Sequence, residues 1–329
     1  MSNDNNKDVY IDLLATCSVQ TNSNHRVPLV FNQTSSQPIL KSTTGYKLSI
    51  IRFSLNTETL PIFIPTMRSA NETIYSITME CNGVQFQQFM KYEPQNLNPV
   101  DQDEYYYVYN YQYLIYLVNN CITSCLTGLG ITAVAPTMNI DMTSKVVTIN
   151  LDNNYFGYNE SNKINIYMNY AMYTMFASLP ATIVNKNKLG MDYQLNNLIS
   201  QDLTSMTQDF ATDMILNPVS SIVFTSNLIP IYQSSTPPIQ IYVDGIVSNQ
   251  NSSYNFLNIL TDFIANDMQF VPYIQYSPSI YRFLGLKQNT EIRNIDLRVF
   301  WMNKNTGVLK PLYIGVGGSC SIKLYFAQV

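Results

Sequence analysis

Charge is what this 329-residue sequence has least of: Lys, Arg, Asp and Glu together make up 12% of it, about half the usual quarter. Hydrophobic residues are an ordinary 46%, so the surface has to be covered largely by Asn, Gln, Ser, Thr and the 25 tyrosines. A low-charge, tyrosine-rich surface suits broad lateral contacts, where charge is depleted and aromatics are enriched. Histidine is almost missing. His25 is the only one and sits beside Arg26 in a polar stretch, which excludes a two-His metal site built from this chain and the histidine clusters of cupin enzymes. A Ser-His-Asp triad would rest on His25 alone, outside any strand-turn-helix context. The five cysteines, Cys17, Cys81, Cys121, Cys125 and Cys320, are odd in number and scattered, which points to reduced thiols in a cytosolic or nuclear compartment. On that reading the sequons at Asn32, Asn71, Asn159 and Asn251 are chance in an Asn-rich chain. Net charge is -4 with no basic block, and the first residues mix Asp4, Lys7 and Asp8, which excludes a nucleic-acid-binding arm. No signal-peptide pattern and no membrane-spanning run is present.

The remaining candidates for chemistry have plainer readings. Cys121 and Cys125 are one helical turn apart, yet both belong to an apolar face, so they read as core rather than metal ligands. Asp101, Asp103 and Glu104 lack the glycine and further carboxylates of a calcium loop and read as helix capping. Gly315, Gly317 and Gly318 precede no helix, so they form a turn and no phosphate cradle. The sequence therefore offers no catalytic, cofactor-binding or metal-binding residue, and the expectation is a non-enzyme.

What the chain has in abundance is short strands separated by turn residues. Asn217 to Ile231 reads as a buried strand, with Ile222 and Phe224 on one face, Ser221, Val223 and Thr225 on the other, and Pro218 and Pro230 at its limits. Met1 to Lys7 is expected to be a disordered arm, and Asp8 to Ala15 an extended segment. From Arg26 to Leu40, Pro and Ser break any regular pattern. Tyr46 to Leu55 is β-rich, and Leu60 to Pro65 is an edge or linker. Thr73 to Met90 is a hairpin whose Asn82-Gly83 turn needs positive φ, placing Tyr75, Ile77 and Met79 on a face with Phe86 and Met90. Tyr111, Leu114, Ile115, Val118, Cys121, Ile122 and Cys125 then fall at helical spacing, with the acidic residues before them and Gly128 and Gly130 ending the helix, which lies on a sheet.

Alternation returns at Met138 to Met142, Val147 to Leu151 and Ile164 to Met168, with a short helix over Met172 to Leu179 stopped by Pro180. Ala181 to Thr212 reads as a polar excursion from the core. Ser234 to Pro238 is a loop, Ile239 to Val247 a strand region, a polar loop runs on through Ser253, and Leu257 to Phe263 and Tyr273 to Tyr276 are strands. In Ile292 to Met302, Ile295, Leu297, Val299 and Trp301 face inward and Asp296 and Arg298 outward. Ile322, Leu324 and Phe326 form the last inward row. No internal repeat suggests a solenoid or propeller.

Many short antiparallel-type strands with few helices fit an all-β, two-sheet Greek-key sandwich. The set YNYQYLIYLVNN (109–120), INIYMNYAMYTMFASLP (164–180), PVSSIVFTSNLIPI (218–231), NILTDF (258–263), IQYSPSIYRFLGL (274–286), IDLRVFW (295–301) and the closing SIKLYF resembles the minor capsid or penton proteins of virophages and polinton-like viruses. That resemblance implies a single jelly roll standing upright in the shell, assembling as a homopentamer at each icosahedral vertex of the virion and touching the double-jelly-roll major capsid (hexon) protein around it. Residues 1–25 would be an N-terminal arm and 26–329 the jelly-roll domain. More strand candidates than eight, plus two helices, require insertions or a small upper domain, with 97–130 and 183–212 as the candidate segments. Such a chain would be made in the host cytoplasm or a virus factory, and nothing in the sequence supports a host receptor. The competing readings are the major capsid protein of a small virus, for which 329 residues is short of two complete jelly rolls, and a receptor- or ligand-binding jelly-roll module, which would be expected to carry a signal peptide or paired cysteines.

Overall fold

The computed structural model describes residues 7–18, 26–95, 99, 102–157, 160, 162–186, 190–196, 205–232, 240–243, 246–249, 258–264 and 273–329. His25, Asp101, Asn159 and Asn251, the expected arm up to residue 6 and the expected loop at 234–238 lie outside the described residues. The chain divides into two compact units, one of residues 1–61, 98–104 and 218–329, the other of residues 62–97 and 105–217.

The first unit holds eight strands that matter for its architecture: β1 (Val9–Thr16), β2 (Val30–Thr34), β3 (Tyr46–Asn56), β4 (Val219–Ser226), β5 (Asn258–Ile264), β6 (Tyr273–Tyr276), β7 (Asn294–Asn303) and β8 (Ser319–Gln328). They pair as β1-β8-β3-β6 in one sheet and β2-β7-β4-β5 in the other, every pair antiparallel. That order, with the first strand beside the last and the second beside the seventh, is the double Greek key of a jelly roll. The two sheets meet through aromatic rings. Phe53 of β3 lies 5.2 Å from Phe224 of β4 and 4.7 Å from Phe263 of β5. Around these rings the inward rows expected from alternation are all buried: Ile322, Leu324 and Phe326 on β8, Ile295, Leu297, Val299 and Trp301 on β7, and Ile222 and Phe224 on β4.

β4 is buried on both faces. Its other face contributes Val223 to a second apolar cluster with Ile259, Phe300 and Leu309, which is why a strand containing three serines has almost no exposed position. Two expectations fail in this unit. Val30–Thr34 is a regular strand along β7 despite its proline- and serine-rich flanks, because Pro28 precedes the strand and Phe31 supplies a fully buried inward side chain opposite Leu297. Asp296 does not face outward. It is buried, and its carboxylate accepts hydrogen bonds from Ser226 Oγ (2.7 Å) and from the backbone N–H groups of Asn227 (3.0 Å) and Leu228 (2.8 Å) in the turn that leaves β4. Within the segment expected to be an arm, residues 9–16 form β1, an edge strand paired along its length with β8.

The second unit carries a five-stranded antiparallel sheet in the order Ala181–Lys186, Met191–Leu195, Asn165–Met168, Glu72–Cys81, Val84–Lys91. The Asn82-Gly83 turn has φ of 50° and 78°, and Met79 stands opposite Phe86 as the hairpin reading requires. Within the segment expected to be an excursion, Ala181–Lys186 and Met191–Leu195 pair with each other, and Tyr193 and Gln194 pair with Met168 and Tyr167, so these two strands belong to the sheet of the second unit. The helix α1 (Tyr111–Leu129) packs on the Glu72–Cys81 and Val84–Lys91 hairpin.

Two details of α1 differ from expectation. Its N-cap is Asn110, whose Oδ1 accepts from Tyr113 N at 2.8 Å, and no acidic residue lies in its first turn. Asp103 and Glu104 belong instead to a separate short turn, Gln102–Tyr106. Gly130, at φ 76°, ends the helix, while Gly128 lies inside it. There a Cβ would come within 2.2 Å of the Phe86 ring, so glycine is needed for close approach to the hairpin. The helix expected over 172–179 is shorter, Tyr170–Met175, since Ser178 takes a positive φ of 87° before Pro180 is reached.

Candidate assembly surfaces

Alternation along β1 and β8 buries Ile11, Leu13, Ile322 and Leu324, which forces Tyr10, Asp12, Leu14, Ser321, Lys323 and Tyr325 onto the outer face of the sheet. The register puts Tyr10 opposite Tyr325, and their rings stack at 4.6 Å and 2°. Tyr281 and Phe283, from the chain after β6, extend this patch, with rings 6.2 and 5.9 Å from Tyr325. Leu14 is 70% exposed and Ile280, next to Tyr281, is 84% exposed. The two carboxylates beside the patch are engaged within the chain. Asp12 is 3.2 Å from both Arg52 and Lys323, while Asp8 accepts from the Tyr325 hydroxyl (2.9 Å) and the Gln328 N–H (3.0 Å). The hydrogen bond to Asp8 holds the Tyr325 phenol well above its ordinary pKa, so it stays a neutral donor.

In the second unit the tyrosines divide into packed and exposed sets. Tyr107 is buried and Tyr105 and Tyr106 half-buried, with the Tyr92 hydroxyl donating to the Tyr105 carbonyl at 2.6 Å. Tyr170 is exposed, and beside it Tyr193 stacks on Tyr173 at 3.9 Å and pairs across the sheet with the exposed Ile183. Charge is distributed unevenly between the units. The first holds 12 basic and 12 acidic residues, net 0, and the second 6 basic and 10 acidic, net -4, so the whole formal charge of the chain falls on the second.

The cysteines considered as ligands are core residues. The Cys121 thiol donates to the Gln88 carbonyl (3.3 Å) and the Cys125 thiol to the Phe86 carbonyl (3.1 Å). Burial pushes both thiols up, Cys125 to about 12, which removes the thiolate a metal or an electrophile would need. Gly315, Gly317 and Gly318 form the turn before β8, with Gly317 at φ 84°. Among the described residues no group of three or more His, Cys, Asp or Glu is placed to hold a metal ion, and no helix is long and apolar enough to cross a membrane. The aromatic face of the first unit was not singled out from sequence. Its signal was present in Tyr10, Asp12 and Leu14, where two large apolar side chains occupy the alternation positions that an outward face would normally fill with polar residues.

Three likenesses bear on this architecture. The chain is similar to a protein in the cryo-EM structure of the Sputnik virophage, with a TM-score of 0.77 and 24% identity over 98% of each chain. It is also similar to the crystal structure of the mavirus penton protein, with a TM-score of 0.71 and 21% identity over 98% of this chain and 100% of that one. Protein V18 of the Sputnik virophage is 28% identical over 142 residues, 37% of this chain and 84% of V18. Across residues 9–328, from the start of β1 to the end of β8, the chain matches one family of proteins, and it belongs to that family, the Sputnik minor capsid protein V18/19.

Proposed function

We propose that this minor capsid protein is a penton: it closes into a homopentamer at the five-fold vertices of the virion and contacts the surrounding major capsid protein. The observation that carries this reading is the complete jelly roll interrupted between β3 and β4 by a second compact unit, an arrangement aligned over the whole length of the mavirus penton protein. On this reading residues 62–97 and 105–217 form one large insertion in the jelly roll, broader than the segments 97–130 and 183–212 taken singly. The work is mechanical. Low-charge side faces are buried between neighbours, and weak contacts are multiplied around a closed ring in which each interface is heterologous. The reading assigns no catalytic residue, cofactor or metal, and places synthesis in the host cytoplasm or a virus factory before incorporation at the vertex.

Mass photometry of the purified chain tests the ring. Five copies of a 37.5 kDa chain give about 188 kDa, the expected species. A species of about 113 kDa, three copies, would favour a major capsid or ligand-binding role instead.

A further inference from the structure

We propose that the outer face of the β1-β8-β3-β6 sheet is the surface on which a neighbouring copy of this chain docks, an inference that rests on the ring reading above. Tyr10, Tyr325, Tyr281 and Phe283 form one connected aromatic patch, Leu14 is exposed on the same face of β1, and Ile280 is exposed next to Tyr281 in the chain. A protein that remains alone rarely leaves such a patch open to water. Aromatic groups at the centre with charges moved to internal pairs is the composition of an interface core.

Charge selects the occupant. Asp12 is already shared by Arg52 and Lys323, and Asp8 is already engaged by Tyr325 and Gln328, so the two carboxylates beside the aromatic patch offer a basic partner nothing unpaired. A partner of low charge density loses nothing there, and the jelly-roll unit of a second copy is one, with 12 basic residues balancing 12 acidic. The second unit, at net -4, would repel its own copies if the ring were closed mainly through it. In a cyclic assembly of more than two subunits the contact is heterologous, so this face meets a different surface of the next copy and not its own image.

The test uses the full chain carrying Leu14→Glu and Ile280→Glu, both at exposed positions, with Ile183→Glu in the second unit as a control. As dilute monomer the double variant is expected to keep the thermal midpoint of the parent's dilute monomer, while the concentration at which rings dissociate rises ~100-fold or more, and the control is expected to behave as the parent. Hydrogen exchange on the unmodified chain gives an independent readout, with residues 9–16 and 319–328 gaining protection when dilute monomer is concentrated into rings. Rings of the double variant that dissociate at the parent's concentration, or exchange in these strands that does not change on assembly, would overturn the proposal while leaving the ring itself standing. A parent that stays monomeric at all concentrations would overturn the ring and, with it, this face.

Discussion

Arg26 and Glu104, 78 positions apart in sequence and both in the first unit, form an ion pair with side chains only 9% and 5% exposed. The Arg26 guanidinium also lies 5.2 Å from the centre of the Tyr313 ring. Two charges that have given up their water are worth little net as a pair, yet either one left alone is costly. Arg26→Met or Glu104→Gln alone is expected to lower stability, Arg26→Met by about 3–5 kcal/mol, and the double substitution by less than the sum of the two. A double-mutant cycle in urea checks this, and additive losses would mean that the pair is not coupled.

Gly128 is the position where α1 comes closest to the hairpin. Gly128→Ala improves helix propensity by roughly 1 kcal/mol, but the new methyl would overlap the Phe86 ring. The overlap is expected to win, with a net loss of about 1–3 kcal/mol that Phe86→Leu partly restores. Equilibrium denaturation of the single and double variants reads both effects, and a more stable Gly128→Ala would show that the close approach is not there.

Asp296 ties the end of β4 to β7 through three donors. Asp296→Ala leaves those donors without their acceptor in a buried place and is expected to cost about 1.5–3 kcal/mol, while Asp296→Asn, which keeps one acceptor oxygen, is expected to cost less. Thermal unfolding of the two variants provides the ranking.

Alkaline pH offers a test of burial. Burial raises the Cys125 thiol from 9.0 to about 12 and the Tyr113 phenol from 10.0 to about 12, and it also raises Tyr92, Tyr111 and Tyr167. These groups stay protonated in the fold at pH values where the unfolded chain has lost its protons, so the unfolded state binds fewer protons and stability falls as pH rises. The contribution is fully present below about pH 9 and is lost through pH 12. The thermal midpoint is expected to decline across that window, and Cys125→Ala to flatten the decline between pH 9 and 12. An unchanged slope in that variant would mean that the thiol is not buried as described.

Much of the jelly roll was legible in sequence wherever one side of a strand is buried and the other wet. β8 alternates cleanly, and in the second unit the Asn82-Gly83 turn announces its hairpin by the positive φ it requires. What could not be read depends on distant partners. Asp296 looks like an outward residue until the turn at Asn227 and Leu228 folds back on it. Gly128 looks like a helix stop because the Phe86 ring that needs it is 42 positions away. The proline- and serine-rich flanks of Val30–Thr34 hide a strand that only the ladder with β7 defines. The outer aromatic face was missed for a related reason. Tyr10 and Tyr325 lie at opposite ends of the chain and become one patch only through the β1-β8 register.

A density map of the intact particle tests the central claim most directly. The account predicts five copies of this fold around each five-fold axis, with the Tyr10 and Tyr325 face covered by the next copy. Vertices built from a different protein, or this chain in three-fold or two-fold environments elsewhere in the shell, would contradict it.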